Sequence, residues 1–172
     1  MPIEDPKEVF VMLLSEVRQH AERAAVLHKE LAQVAEDHPH IKELIEARAF
    51  MAAKTLEHVD HCFKLIGARP VIVKVRLHEV FVEELRKHLA EIKSPIARHL
   101  FILAKLAHLN QIRIGEFEAL LAADVTGHPG VGALLEGAKA ARLAFAERIR
   151  LLARRIVEAK VLEHELVEHV VA

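Results

Sequence analysis

The sequence has no Trp and no Tyr, a single Cys, and Ser only at positions 15 and 94. Each scarcity removes a class of chemistry. Without Tyr or Trp there is no redox-active ring to relay a radical. A lone Cys62 makes no internal disulfide and suits a reducing compartment. His58 lies four residues earlier on the same helix side, but a packed helix offers neither the oxyanion site nor the cleft that a Cys/His nucleophile needs, so Cys62 reads as an inert core thiol. Only 6 of 172 residues are Gly, and no Gly-rich loop follows a strand. Gly130-Val131-Gly132 opens a helix and reads as a turn. No run reaches the roughly 18 uncharged apolar residues of a membrane span, and the first residues lack the basic-then-apolar order of a secretory leader. One scarcity is local: from Ile92 to Gly115 there is no Asp or Glu, although the chain holds 25 of them.

What is present describes a folded, water-facing chain. Apolar residues make up 52% and charged residues 28%, with 24 Lys and Arg against 25 Asp and Glu. The two signs are mixed on every polar face. Arg148, Arg150, Arg154 and Arg155 cluster, but Glu147 and Glu158 flank them, so a solvated helix face is expected rather than a nucleic-acid surface. A cytoplasmic protein that binds neither nucleic acid nor membrane is the expectation.

Apolar residues recur at three- and four-residue spacing along five segments. Asp5-Pro6 caps and starts the first, with Phe10, Leu13, Leu14, Val17, Ala21, Ala24, His28 and Leu31 inward. The second runs from Pro39 to about Ile66 and stops at Gly67, with Ile41, Leu44, Ile45, Ala52, Val59, Phe63 and Ile66 inward. Val71 to Val75 is expected to be extended or irregular. A short helix follows over about 76–92, with Val80, Phe81, Leu85 and Leu89 inward. Ser94-Pro95 opens another that reaches about Asp124, and the last begins at Pro129. Tight turns near residues 38 and 127 make two antiparallel hairpins, and the long link between them carries the short helix. The fold class is therefore all-α: a four-helix bundle with a crossover connection bearing a fifth helix. One domain is expected, the bundle over about 6–156 and a helical extension over about 157–172.

Within this pattern, the stretch from His38 to Pro70 resembles the second helix of the YciE/YciF family of ferritin-like bacterial stress proteins. The resemblance rests on Pro39, Lys42, Glu43, Thr55, His58, Val59, Phe63, Leu65 or Ile66, Gly67 and Pro70. The Thr126-Gly127-His128 turn and Leu134-Leu135-Glu136 are similar too, and the similarity spans roughly residues 8–156. It implies a ferritin-like bundle, possessing in many members a dinuclear iron site at mid-height held by carboxylates from four helices and by Glu-x-x-His pairs.

This chain departs from that ligand pattern in several helices. Ala53 and Lys54 stand where relatives place Glu before the Thr-x-x-His segment. Ala107, Leu109, Asn110 and Ile112 occupy the middle of the fourth segment. Ala141 and Arg142 replace a Glu-Glu pair in the last helix, and helical phase turns Ala21 rather than Glu22 inward. No Glu-x-x-His occurs in the four bundle helices. Two divalent ions in a low-dielectric core need anionic ligands, and Lys54 and Arg142 would repel them. The expectation is loss of the dinuclear site, with Thr55, Asn110, Arg142 and His20 forming a polar mid-bundle layer in its place. The plainer alternative has Thr55 bonding its own helix while Arg142 and His20 reach solvent.

Thirteen His residues leave a second metal reading open. Glu57, His58 and His61 have ligand spacing on the second helix, with Asp60 beside them, although Glu57 and His61 lie off the apolar stripe. The C-terminal extension shows rows at Val157 and Val161 and at Leu162, Leu166 and Val170, which a lone exposed helix would not need. The sequence therefore favours a non-catalytic bundle with a structural or interaction role, no cofactor, a stress association by resemblance, and an extension that packs on a second subunit, making a homodimer, or back on the crossover helix. The alternative is an oxidase or metal-storage protein binding iron, manganese or zinc through its histidines.

Overall fold

Proline starts four of the five helices, and its position fixes where each begins. A computed structural model describes residues 3–171, with side chains through residue 164. It contains α1 (Pro6–Val34), α2 (Pro39–Leu65), α3 (Arg76–Glu91), α4 (Pro95–Ala122) and α5 (Pro129–Val171). Pro lacks an N–H and has its φ preset, so it costs nothing in a first turn whose N–H groups have no helical partner. The residue before each Pro completes the cap. Asp5 accepts from Lys7 N at 2.8 Å, His38 Nδ1 from Ile41 N at 3.4 Å, Ser94 Oγ from Ala97 N at 3.4 Å, and His128 Nδ1 from Gly130 N at 3.1 Å. At the far end of α2, Gly67 takes φ +63°. There Ala68 N donates to Phe63 O and Gly67 N to Lys64 O, the paired bonds that close a helix through a left-handed residue.

The bundle helices pack as a square in which α1 touches α2 and α4, and α5 touches α2 and α4. Short turns make α1–α2 and α4–α5 antiparallel hairpins. The connection between the hairpins climbs the length of the bundle. Its extended part, residues 71–75, is held to α1 where Val71 N donates to Ser15 Oγ at 3.0 Å. The chain then enters α3, which is tied to α1 by Arg86 donating twice to Glu30 (2.9 and 2.7 Å) and by Arg23 to Glu79 (2.6 Å). The sequence expectation for α3 needs one correction. Val80 is 46% exposed, whereas His78, Val82 and Leu85 are the buried residues. The helix is rotated so that His78, with Val82 and Leu85, faces the bundle in place of Val80. Among the described residues no helix is long and apolar enough to cross a membrane.

The apolar core is divided. One cluster at the α1–α2 turn end joins Leu31, Ile41, Ile45, Leu85, Ile102, Leu106, Phe145 and Ile149. The other, at the opposite end, joins Phe10, Leu14, Val59, Cys62, Phe63, Phe117, Leu120, Val131 and Leu135. Between them each helix contributes polar residues, and this is where the functional question lies.

Candidate functional site: a buried arginine layer

The layer between the two apolar clusters is built from positions that continue the apolar stripe of each helix. In α2 the stripe Ile41, Leu44, Ile45 runs through Arg48 to Ala52, Thr55 and Val59. In α4 it runs through Asn110 and Arg113, and in α5 through Arg142. All are buried: Arg48 is 2% exposed, Arg142 3%, Arg113 6% and Asn110 0%. The helical period thus carries three guanidinium groups into the centre of the bundle.

Asn110 connects three of the helices. Its Oδ1 accepts from Arg48 Nη1 at 2.8 Å, and its Nδ2 donates to the backbone O of Arg142 at 2.8 Å. Arg142 Nη2 donates to Thr55 Oγ1 at 3.1 Å, and Thr55 Oγ1 in turn donates to Met51 O at 2.9 Å. Thr55 therefore bonds its own helix and Arg142 together, and Arg142 points inward rather than to solvent. The Arg48 guanidinium also lies 5.7 Å from the centre of the Phe145 ring, a cation–π contact that offsets part of its desolvation.

A second group joins α1, α3 and α4. Arg113 Nη1 donates to both oxygens of Glu116 (2.5 and 2.7 Å), and Arg113 Nη2 lies 3.2 Å from His78 Nδ1. His20 Nδ1 is 2.8 Å from Glu116 Oε1, a contact of ion-pair length in which the ring N–H is not aligned with the oxygen. The His20 and His78 rings are 5.4 Å apart. His20 thus belongs to the Arg113–Glu116–His78 group, and no hydrogen bond joins it to Thr55, Asn110 or Arg142. Burial opposes ionisation of Glu116, but His20 and Arg113 outweigh it and hold the carboxyl below its usual range. Burial, then the repulsion of Arg113, lowers Arg142 to about 10, still well above neutrality. Burial, then Arg142 and Arg113, likewise lowers Arg48, and a guanidinium in a protein keeps its proton.

Two histidines face this charge without carrying any. His28, 1% exposed, is pushed down to about 3 by burial first and then by Arg48 and Arg142. His78 is pushed down to about 4 by burial first and then by Arg113. The bond from Arg113 requires His78 Nδ1 to be the unprotonated nitrogen, which agrees with a neutral ring.

The metal expectations can now be set against side-chain positions. Lys54 is not part of the interior: it is exposed and pairs with Glu57 at 2.7 Å. The interior cation of α2 is Arg48, nearly two turns earlier, and Ala53 and Ala141 also face outward. Glu22 is on the surface, bound to Arg18. Glu57 and His61 are exposed, His58 is half-buried, and Asp60 is engaged by Arg18 at 2.7 Å. Among the described residues no three His, Cys, Asp or Glu side chains are grouped to hold a metal ion. The mid-bundle donors are one carboxylate and three imidazoles among three guanidiniums, a set that does not fit two divalent ions. Cys62 is fully buried, and burial followed by Asp124 pushes its thiol up to about 11, which fits an unreactive side chain.

Arg48, Arg113, His78 and Glu116 are functional candidates that ligand-pattern reasoning passed over. A signal existed for the arginines, since both Arg48 and Arg113 fall on the apolar stripe of their helices.

Residues 5–162 match the model of a domain of unknown function, DUF892. The chain belongs to this family. Two solved structures share its fold. The E. coli stress protein YciF superposes with a TM-score of 0.84 at 16% identity, covering 91% of this chain and 99% of that one. YcfI of Rhodopseudomonas palustris, provisionally described as a structural protein, gives 0.80 at 15%, covering 86% of this chain and 94% of that one. The family match and these two neighbours agree with the YciE/YciF resemblance and with an all-α ferritin-like bundle. No curated protein matches the chain.

Proposed function

We propose that this DUF892 protein is a non-catalytic ferritin-like bundle with a structural or interaction role, in which the dinuclear metal site has been lost. One observation carries the reading. Among the described residues, the mid-height layer holds Arg48, Arg113 and Arg142, all buried, against the one carboxylate of Glu116. Coulomb repulsion there disfavours a pair of divalent cations by many kcal/mol, and no rotamer change supplies the missing anionic ligands. A role in stress is supported by the name of the YciF neighbour alone. Metal analysis of protein purified without a His tag tests the reading. Well under one equivalent of iron, manganese or zinc per chain is expected, and a stoichiometric amount of any of them overturns it in favour of an oxidase or storage protein.

The interaction role is assigned to α5. At 43 residues this helix is about 65 Å long, against about 42 Å for the 28 residues of α4, so its last turns run beyond the bundle. Val157, Val161 and Leu162 there are 47%, 51% and 59% exposed. Leu166 and Val170, the continuation of the Leu162 row, lie outside the residues whose side chains are described. The occupant proposed for this face is the same helix of a second copy. Removing residues 159–172 is expected to convert a dimer to a monomer in light scattering, and an unchanged mass would end the proposal.

A further inference from the structure

The three arginines of the layer are not equally compensated. Arg113 has Glu116, but Arg48 and Arg142 bond only neutral oxygens, those of Asn110 and Thr55. Among the described residues Glu116 is the only carboxylate whose charge reaches either of them. Three buried guanidiniums sharing one carboxylate are a costly arrangement, because burial strips their hydration. Moreover, their donors are not used up. Arg48 Nε and Arg142 Nη1 have no hydrogen-bond partner, and neither ring nitrogen of His28 has one. Arg48, Arg142 and His28 all line one small cavity of about 10 Å³. Such a space is at the lower limit for one water-sized occupant.

We propose that this cavity binds a single halide-sized inorganic anion, held by the free N–H groups of Arg48 and Arg142 with the His28 ring beside it. The proposal rests on the loss of the metal site described above and names what replaces it: where two cations would sit on carboxylates, one anion sits on guanidiniums. The argument is one of charge: an anion adds counter-charge to that of Glu116, and no carboxylate lines the cavity among the described residues. A halide is larger than water, so the side chains around it must give slightly to seat it. Sulfate or phosphate, with four oxygens around a central atom, exceeds the available space. His78 lines both the cavity and an outer groove of about 580 Å³ between α1 and α3, so the side of the layer nearest that groove is at His78.

Chloride and bromide are the probes. At constant ionic strength, with sodium gluconate as the bulky comparison salt, Tm of the intact chain is expected to rise with chloride, by roughly 5–10 °C at a hundred times its Kd. Crystals grown in bromide are expected to show one anomalous peak between Arg48 and Arg142. In Arg142→Gln the chloride-dependent rise should vanish. Equal Tm in chloride and gluconate overturns the proposal, as does a cavity that holds only water in bromide-grown crystals, or a full chloride response in Arg142→Gln. If that variant does not fold, the two measurements on the unaltered chain decide. Metal content determined on the same sample separates the two readings. Stoichiometric metal defeats the proposed function, whereas a metal-free protein indifferent to halide defeats only the anion site.

Discussion

Asn110→Leu is expected to destabilise the protein by about 3 kcal/mol. The side chains share a branched shape and the same number of heavy atoms, so the substitution opens no cavity; its main cost is electrostatic, with a smaller one for fitting the larger Leu. Arg48 Nη1 loses its acceptor while the guanidinium remains buried at 2% exposure. A hydrogen bond to a charged group contributes about 1.5–3 kcal/mol, and leaving such a group unsatisfied in the interior adds its desolvation cost. The Arg142 backbone O, which also accepts from Asn110, loses a supplementary bond. Urea unfolding with an unchanged m-value checks the figure. A variant as stable as its parent would mean that Asn110 contributes nothing to holding the layer.

The companion variant makes that test sharper. Arg48→Met removes the buried charge and leaves an amide oxygen unpaired, a cost of about 1 kcal/mol set against relief of desolvation. The double variant Arg48→Met, Asn110→Leu replaces the whole pair with apolar groups of similar size. It should be close to the parent in stability, because exchanging a buried polar arrangement for packed hydrocarbon is often neutral or better. Strong non-additivity, about 2 kcal/mol or more in coupling, is therefore the expected signature of two residues acting as one unit. Simple addition of the two single effects would show that the bond between them carries no weight.

The fold was more legible in the sequence than the layer, for a physical reason that particular residues make plain. Helix ends are local events: Asp5-Pro6, Ser94-Pro95 and the left-handed Gly67 each specify a boundary by their own stereochemistry. The buried face of a helix is legible too, as long as its members are apolar. Where the stripe turns polar, the same rule is easily misapplied. Arg48 continues the sequence Ile41, Leu44, Ile45 in helical phase, yet a guanidinium is ordinarily assigned to solvent, and the ligand pattern points instead to Lys54, which is exposed. Val80 in α3 shows the converse error: an apolar residue was placed inward because it is apolar, when His78 is the side chain that enters the layer. Glu116 stands one residue past the stretch that lacks carboxylates, and its partners His20 and Arg113 come together only when α1 and α4 pack. No single segment could announce that contact.

Acid should unfold this protein early, and the histidines of the layer set the range. His28 is neutral in the folded state down to about pH 3 and His78 down to about 4, while both take up a proton near pH 6.5 once the chain unfolds. The unfolded state therefore binds more protons throughout that interval, so stability is complete above about pH 6.5 and falls as pH drops toward the folded values. Between pH 7 and pH 5 each ring should remove about 2 kcal/mol, and together about 4 kcal/mol, a large part of the roughly 5–15 kcal/mol that holds a typical domain. The groups facing His28 come from four other helices and mostly share one sign: Arg48 on α2, His78 on α3, Arg113 on α4 and Arg142 on α5. Protonation is thus opposed by repulsion as well as by burial. Glu116, held below its ordinary 4.5, loses its contribution only at lower pH, so a comparison of urea midpoints at pH 7 and pH 5 isolates the histidines. His28→Leu removes a ring that has no hydrogen-bond partner, and it should halve the loss between those two pH values while costing little at pH 7. An undiminished loss in that variant would place the acid sensitivity elsewhere.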